Sequence, residues 1–253
     1  MPPRQTRHLV KEGGPGFQYA WKDLAEPIRY HPQQLGEQRG FFMTQRTPHQ
    51  DALRILYIFL AGAEERKPGA DGCERVFKGN TRLYAFDFWI RNPDYFADEL
   101  LDLFDATHEQ RYLTLATKIF EDNEPSIRRF PMIRYRFGAY ERIDDALAIL
   151  VSRGLIRIDG RKTVSTVSET NFYLLPDAVI LGKDITKHYP GLSWYPERAA
   201  LVAEVAAKRK GAELKKRQYQ RIEYAETQLG GVIPAVTERV RERLAGYNAK
   251  AAG

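Results

Sequence analysis

The sequence predicts a mainly α protein with a small β-hairpin or sheet, an α+β fold in which helices dominate. Three observations carry this. Apolar residues recur at helical spacing through residues 47–120. The stretch RFGAYERIDDALAILVSRGLIRIDGRKTV, residues 136–164, reads as a helix followed by a hairpin. From Pro196 onward the chain is highly charged and keeps a thin apolar stripe at helical period.

Residues 1–16 are rich in Pro, Gly and charge, and 17–46 hold aromatics without a sustained period, so 1–46 is expected as a loose arm or strap. At Thr47 a helix start is strongly marked, because Thr suits the N-cap and Pro48 the first helical position. Ala52, Ile55, Leu56, Phe59 and Ala63 then share one face, and Pro68-Gly69 stops the helix, leaving 68–79 as a loop. TRLYAFDFWIR is apolar nearly all round, as a buried helix is; its acid Asp87 lies four residues before Arg91, which suits an internal pair. Asn92 and Pro93 restart a helix with Asp94 in its first turn and a stripe of Phe96, Ala97, Leu100, Leu101 and Phe104. A further helix follows, with Tyr112, Leu115 and Ile119 inward. PMIRYRF alternates as a short strand.

The next helix runs from about Ala139 to Arg153 and closes at Gly154. Strand-like LIRI and KTVSTV are joined around Asp159-Gly160, a strong turn pair, and TNFYLLP reads as a third strand. Helix, RGLI and hairpin in that order are the grammar of a winged-helix domain. The expected architecture is therefore a winged-helix domain with flanking helices over 47–192, followed by a charged helical C-terminal extension over 193–253. Helices in that extension break at Gly211 and Gly230-Gly231, and Pro234 restarts the last. Leu201, Val205, Leu214, Ile222, Ala225, Leu229, Val236, Val240 and Leu244 form a narrow seam suited to docking a partner.

Apolar residues make up 43% of the chain, enough for a packed core, and its formal net charge of +6 leaves room for an acidic partner. The single cysteine, Cys73, rules out an internal disulfide and fits a reducing compartment. With no apolar signal segment and no run long enough to span a bilayer, a cytoplasmic location is expected.

No catalytic motif emerges. The five histidines are scattered, so neither a metal site nor any other cofactor is expected. Asp94, Asp98, Glu99, Asp102 and Asp105 crowd one helix; such acids hold a cation or, more commonly, occupy the first turn and the wet face. A nuclease assembled from scattered acids is the enzymatic alternative, but no spacing nominates a pair.

Basic residues supply the nucleic-acid candidates: Arg157, Arg161 and Lys162 on the hairpin, and Arg134 and Arg136 in IRYRF. Such side chains touch phosphates and make binding salt-sensitive. KRKGAELKKRQYQR is the densest basic run. On a wheel of about 100° per residue, Tyr140, Ile143, Ala146, Leu147, Leu150 and Val151 face the core. Glu141, Asp144, Asp145, Ala148 and Ser152 face out, with Arg142 and Ile149 at the margin. A major-groove reader presents Arg, Lys, Asn or Gln there. Three acids would meet phosphates instead, so Glu141, Asp144 and Asp145, together with Leu214, Ile222 and Leu229 of the seam, are expected to meet a protein.

LYAFDFWIRNPDYFADELL followed by MIRYRFGAYERIDDALAILVSRGLI resembles the middle components of bacterial ABC-three-component systems, small winged-helix-like proteins encoded beside an ATPase related to the SMC class in anti-phage and anti-plasmid defence loci. The resemblance rests on Asp87, Phe88, Arg91, Pro93 and Tyr95, then on Arg134, Tyr135, Gly138, Asp144 or Asp145, Leu147, Leu150, Arg153, Gly154 and Leu155. It covers roughly residues 80–160. It implies a bacterial, non-enzymatic adaptor that bridges ATPase and effector subunits. Separately, the basic residues make double-stranded DNA a further candidate partner, and a second copy of the chain is another. The alternative is a DNA-binding transcriptional regulator or plasmid replication initiator.

Overall fold

The structure, a computed structural model, describes residues 47–68, 72–122, 124, 132, 134, 141–162, 167–207 and 209–252. For 161, 162, 167, 168 and 250–252 it describes the backbone alone. These residues belong to one compact unit, mainly helical, with a small four-stranded antiparallel sheet. No helix among the described residues is long and apolar enough to cross a membrane.

Helix α1 (Pro48–Gly62) opens with the capping box the sequence marks. The Gln50 amide donates to Thr47 Oγ1 at 3.3 Å and the Thr47 amide to Gln50 Oε1 at 3.0 Å. It ends earlier than expected, at Gly62, because two short strands follow: β1 (Glu64–Glu65) and β2 (Arg75–Lys78), the latter inside the expected loop. α2 (Asn80–Arg91) is the buried helix. Proline at the first position starts α3 (Pro93–Thr107), which closes at His108 with a left-handed φ of 58°. Asn92 does not cap it: its Nδ2 donates back to Phe88 O at 2.7 Å, finishing α2 instead. α4 (Gln110–Glu121) follows after a two-residue turn, so it packs back on α3. Its inward stripe is Leu113, Ala116 and Ile119; Tyr112 and Leu115 are half-buried.

The stretch over residues 136–164 differs from expectation in two ways. Helix α5 spans only Asp144–Ser152. Ala139 and Tyr140 lie outside the described residues, and Glu141 to Ile143 precede the helix. The shorter helix buries Ala146 and Leu150 against α1, with Ile143 beside them, and leaves Val151 44% exposed. In the hairpin, β3 (Ile156–Lys162) runs straight through Asp159 and Gly160, which pair with Asn171 and Thr170 of β4 (Val167–Leu174). Gly160 has no positive φ, so it lacks the geometry a tight hairpin turn demands. The connection is 163–166, outside the described residues, and the expected second and third strands overlap one strand, β4.

Sheet order is β1-β2-β4-β3. Its inner face carries Phe77, Phe172, Ile156 and Leu174, all buried. Phe77 and Phe172 meet Phe59 of α1 at 5.4 and 4.9 Å between ring centroids, and Phe77 meets Phe86 of α2 at 5.5 Å. Gly62 is tucked under these rings: a Cβ there would stand 2.6 Å from Phe77 Cε2 and 2.8 Å from Phe86 Cε2.

α6 (Pro176–His188) was not anticipated, although Pro176 and Asp177 open it and Ala178, Leu181 and Ile185 make a helical stripe. α7 (Trp194–Ala206) and α8 (Gly211–Tyr219) pack on α1 and α2. A short α9 (Ile222–Glu226) leads through Gly230, at φ 87°, to α10 (Thr237–Ala252), which lies on α3.

Candidate interaction surfaces

Much of the charge is consumed inside the molecule, in two networks. In the first, Asp87 of α2 receives Arg54 Nε of α1 and Arg91 Nε of its own helix, each at 2.7 Å. Arg54 also reaches Asp51 at 2.5 Å, and Arg91 reaches Glu141 at 3.2 Å. Arg54, Asp87 and Arg91 are buried to within 1%. Burial alone would push the Asp87 carboxyl up, but the two guanidiniums overturn that and hold it below the usual carboxylate range. The anticipated Asp87–Arg91 pair is therefore present and extended by Arg54. Glu141 does not stand outward: it precedes α5, and its side chain, 10% exposed, is turned onto Arg91.

The second network corrects the expectation that the acids of α3 line a wet face. Asp94, Asp98 and Glu99 are buried. Arg239 of α10 forks onto Asp98 with two bonds of 2.9 Å, and Arg243 binds Asp98, Asp102 and Asp105. Arg221 reaches Asp98, Glu99 and Asp102 at 2.7–2.8 Å, and Arg217 of α8 donates to Glu99 at 2.6 Å. Asp94 Oδ2 accepts from the Val236 amide at 3.0 Å, fixing the start of α10. Burial opposes ionisation of Asp98, yet Arg239, Arg221 and Arg243 lower its carboxyl below the usual range. Each acid meets arginine or backbone N–H, and no group of three or more His, Cys, Asp or Glu suited to a metal occurs among the described residues.

The nucleic-acid candidates separate. Arg157 lies over the Tyr173 ring at 4.3 Å and 3.9 Å from Asp159, and Arg66 is 4.8 Å from the same ring centroid. Arg161 and Lys162 sit in β3 opposite Glu169 and Val167; only their backbone is described. Arg134 is turned inward. Its Nη1 donates to Ala225 O at 2.7 Å and to Thr227 O, while its backbone pairs with Gly230 and Gly231. Arg136 lies outside the described residues. In the basic run, Arg217 and Arg221 serve the α3 network, and Lys216 is exposed.

The partner candidates separate too. Asp144 and Asp145 are exposed at the start of α5, with Arg142 3.3 Å from Asp144. Leu214 is fully buried where α8 packs on α2, so it is core rather than seam. Val205, Val236, Val240 and Leu244 are buried as well. Ile222 and Leu229 are exposed, 55% and 76%, and Val232, missed in the sequence, joins them at 61%. No protein-family model, curated protein or solved structure gives a significant match to this chain.

Proposed function

We propose that the chain is a winged-helix adaptor subunit of a bacterial complex built around an SMC-like ATPase, bridging that ATPase to an effector in anti-phage or anti-plasmid defence. The winged-helix part of the reading is supported by topology. α1, β2, α2 and α5 lead into the β3–β4 hairpin, and β2 closes on β4, with α3 and α4 inserted before α5. The adaptor part rests on the resemblance of residues 80–160 and is carried by one observation: Asp144 and Asp145 stand exposed at the start of the helix that a DNA reader would send into the major groove. Ile222, Leu229 and Val232 are large apolar side chains left exposed, available to a subunit contact.

The test is co-expression with the products of the neighbouring genes. The chain should co-elute with an ATPase in size-exclusion chromatography, and Ile222→Asp/Leu229→Asp should release it. Monomeric elution in the presence of those products overturns the reading.

A second reading, a double-stranded DNA-binding regulator, is favoured by Arg66 and Arg157 beside Tyr173 on the outward sheet face. It predicts a steeply salt-dependent mobility shift that Arg66→Ala/Arg157→Ala weakens.

A further inference from the structure

An open groove of about 610 Å³ runs between α6 and α7, floored by Tyr57, Leu60 and Ala61 of α1. Its lining is mostly apolar, with Val179, Pro196 and Ala200 on the walls. Gly182 makes the floor: a Cβ there would stand 2.3 Å from Leu60 Cδ1, so its absence lets α6 settle on α1. The polar atoms at the base are already satisfied, since Tyr57 Oη donates to Gly182 O at 3.1 Å and lies 3.1 Å from Thr186 Oγ1.

All the charge in the lining is positive: Lys183, Lys187 and Arg75. Arg75 is engaged, donating to Leu60 O at 2.7 Å. Lys183 and Lys187 are exposed, and among the described residues neither forms an ion pair. Of the acids on these two helices, Asp184 turns to His188 and Glu204 to Arg111, while Asp177 and Glu197 are exposed and lie outside the lining. One turn before Lys183, on the same ridge, Ile180 is 64% exposed.

We infer that this groove docks an acidic amphipathic helix of a partner protein. Lys183 and Lys187 are one helical turn apart, about 6 Å along the axis. That matches two carboxylates spaced i,i+4 on a docked helix, whose apolar stripe then enters the groove and meets Ile180. A small amphipathic ligand fits less well, because small-molecule sites enclose most of their ligand and this groove is open to solvent. The inference deepens the adaptor reading and rests on it for the partner being a protein.

Fluorescence anisotropy with the full chain tests it. The probes are a fluorescein-labelled peptide of two Leu-Glu-Glu-Leu-Ala-Glu-Ala heptads and its counterpart with Lys in place of Glu. The Glu peptide should bind, the Lys peptide at least about tenfold more weakly, and Lys183→Glu/Lys187→Glu should reverse that order. Ala200→Trp should fill the groove and remove binding; if that variant fails to fold, the exchange of two exposed lysines still decides. Absence of Glu-peptide binding, binding unaffected by the charge reversal, or saturable binding of dodecanoate without the peptide each overturns the inference. Co-elution with the ATPase is a separate measurement, so loss of the groove and loss of the adaptor reading are told apart.

Discussion

Asp87 is the most consequential single residue in the described core. A carboxylate with no solvent contact accepts from two guanidiniums that are themselves buried, one from α1 and one from its own helix. Replacing it with asparagine keeps the shape but removes the charge the two buried cations share, leaving Arg54 to Asp51 and Arg91 to Glu141. Removing one partner of a buried ion pair costs about 3–5 kcal/mol, so Asp87→Asn should lower unfolding stability by about that amount, read from urea denaturation. A change under about 1 kcal/mol would place the pair in the class of surface bridges and contradict the burial. Half of this site was legible in the sequence: Asp87 and Arg91 are four apart on one helix, and that spacing is local. Arg54 was not, because nothing near a residue in sequence names a partner 33 positions away. The same limit explains Arg134. Its alternating strand-like neighbourhood suggested a phosphate contact, whereas its guanidinium holds the carbonyls of Ala225 and Thr227. Asp87, Phe88, Arg91, Pro93 and Tyr95, the first of the two blocks on which the resemblance rests, are all buried, whereas Asp144, Asp145, Arg153 and Gly154 of the second are exposed. Tyr95 packs edge-on against Phe88 at 5.1 Å and donates to Pro234 O at 2.9 Å. The buried positions of the first block answer to the packing of α2 and α3.

Among elements, α3 and α10 form the clearest pair. Asp94, Asp98, Asp102 and Asp105 recur at helical spacing along α3, and Arg239 and Arg243 recur four apart on α10. Either stripe alone reads as a solvated face; matched, they zip two helices across more than 130 positions of chain. Val236, Val240 and Leu244 do the same for the apolar seam, which the sequence pattern located but assigned to a partner outside the molecule. Narrowness misled there, because a stripe of one residue per turn suffices when arginines cover the rest of the contact. The hairpin failed for a different reason: Asp-Gly is a strong turn pair, but the pairing of β3 with β4 extends past it, and ladder bonds outweigh a local preference. Arg239→Ala/Arg243→Ala should cost about 1–3 kcal/mol. The figure is below that for a fully buried pair because the two side chains are 34% and 22% exposed. Truncation after Val232 should go further and abolish a single cooperative thermal transition, since Asp94 would lose the Val236 amide and Asp98, Asp102 and Asp105 would lose Arg239 and Arg243. An unchanged melting temperature on truncation would instead make α10 an independent appendage.

For the molecule as a whole, both networks make stability depend on pH with the same sign. Asp87 and Asp98 have carboxyls lowered in the folded state, so their contribution is fully present above the unfolded aspartate value and disappears as pH falls through the folded one. Glu124 runs the other way. Burial beside Arg198 pushes its carboxyl up, so its ionised form is disfavoured by folding and its share is lost as pH rises through the folded value. One raised glutamate against two lowered aspartates leaves the aspartates in control on the acid side. The urea midpoint should stay nearly level between pH 6 and 8 and fall steeply below about pH 4, where free aspartates take up protons. Salt sharpens the assignment, because exposed pairs such as Lys78–Glu64 are screened far more than the buried Asp87 triad. The acid limb should therefore persist in about 0.5 M sodium chloride, well past the ionic strength at which surface pairs are damped. Asp98→Asn should flatten it, because the group whose protonation drives part of the fall is gone. An acid limb that vanishes in salt, or that Asp98→Asn leaves unchanged, would move the pH dependence out of these networks and onto the surface.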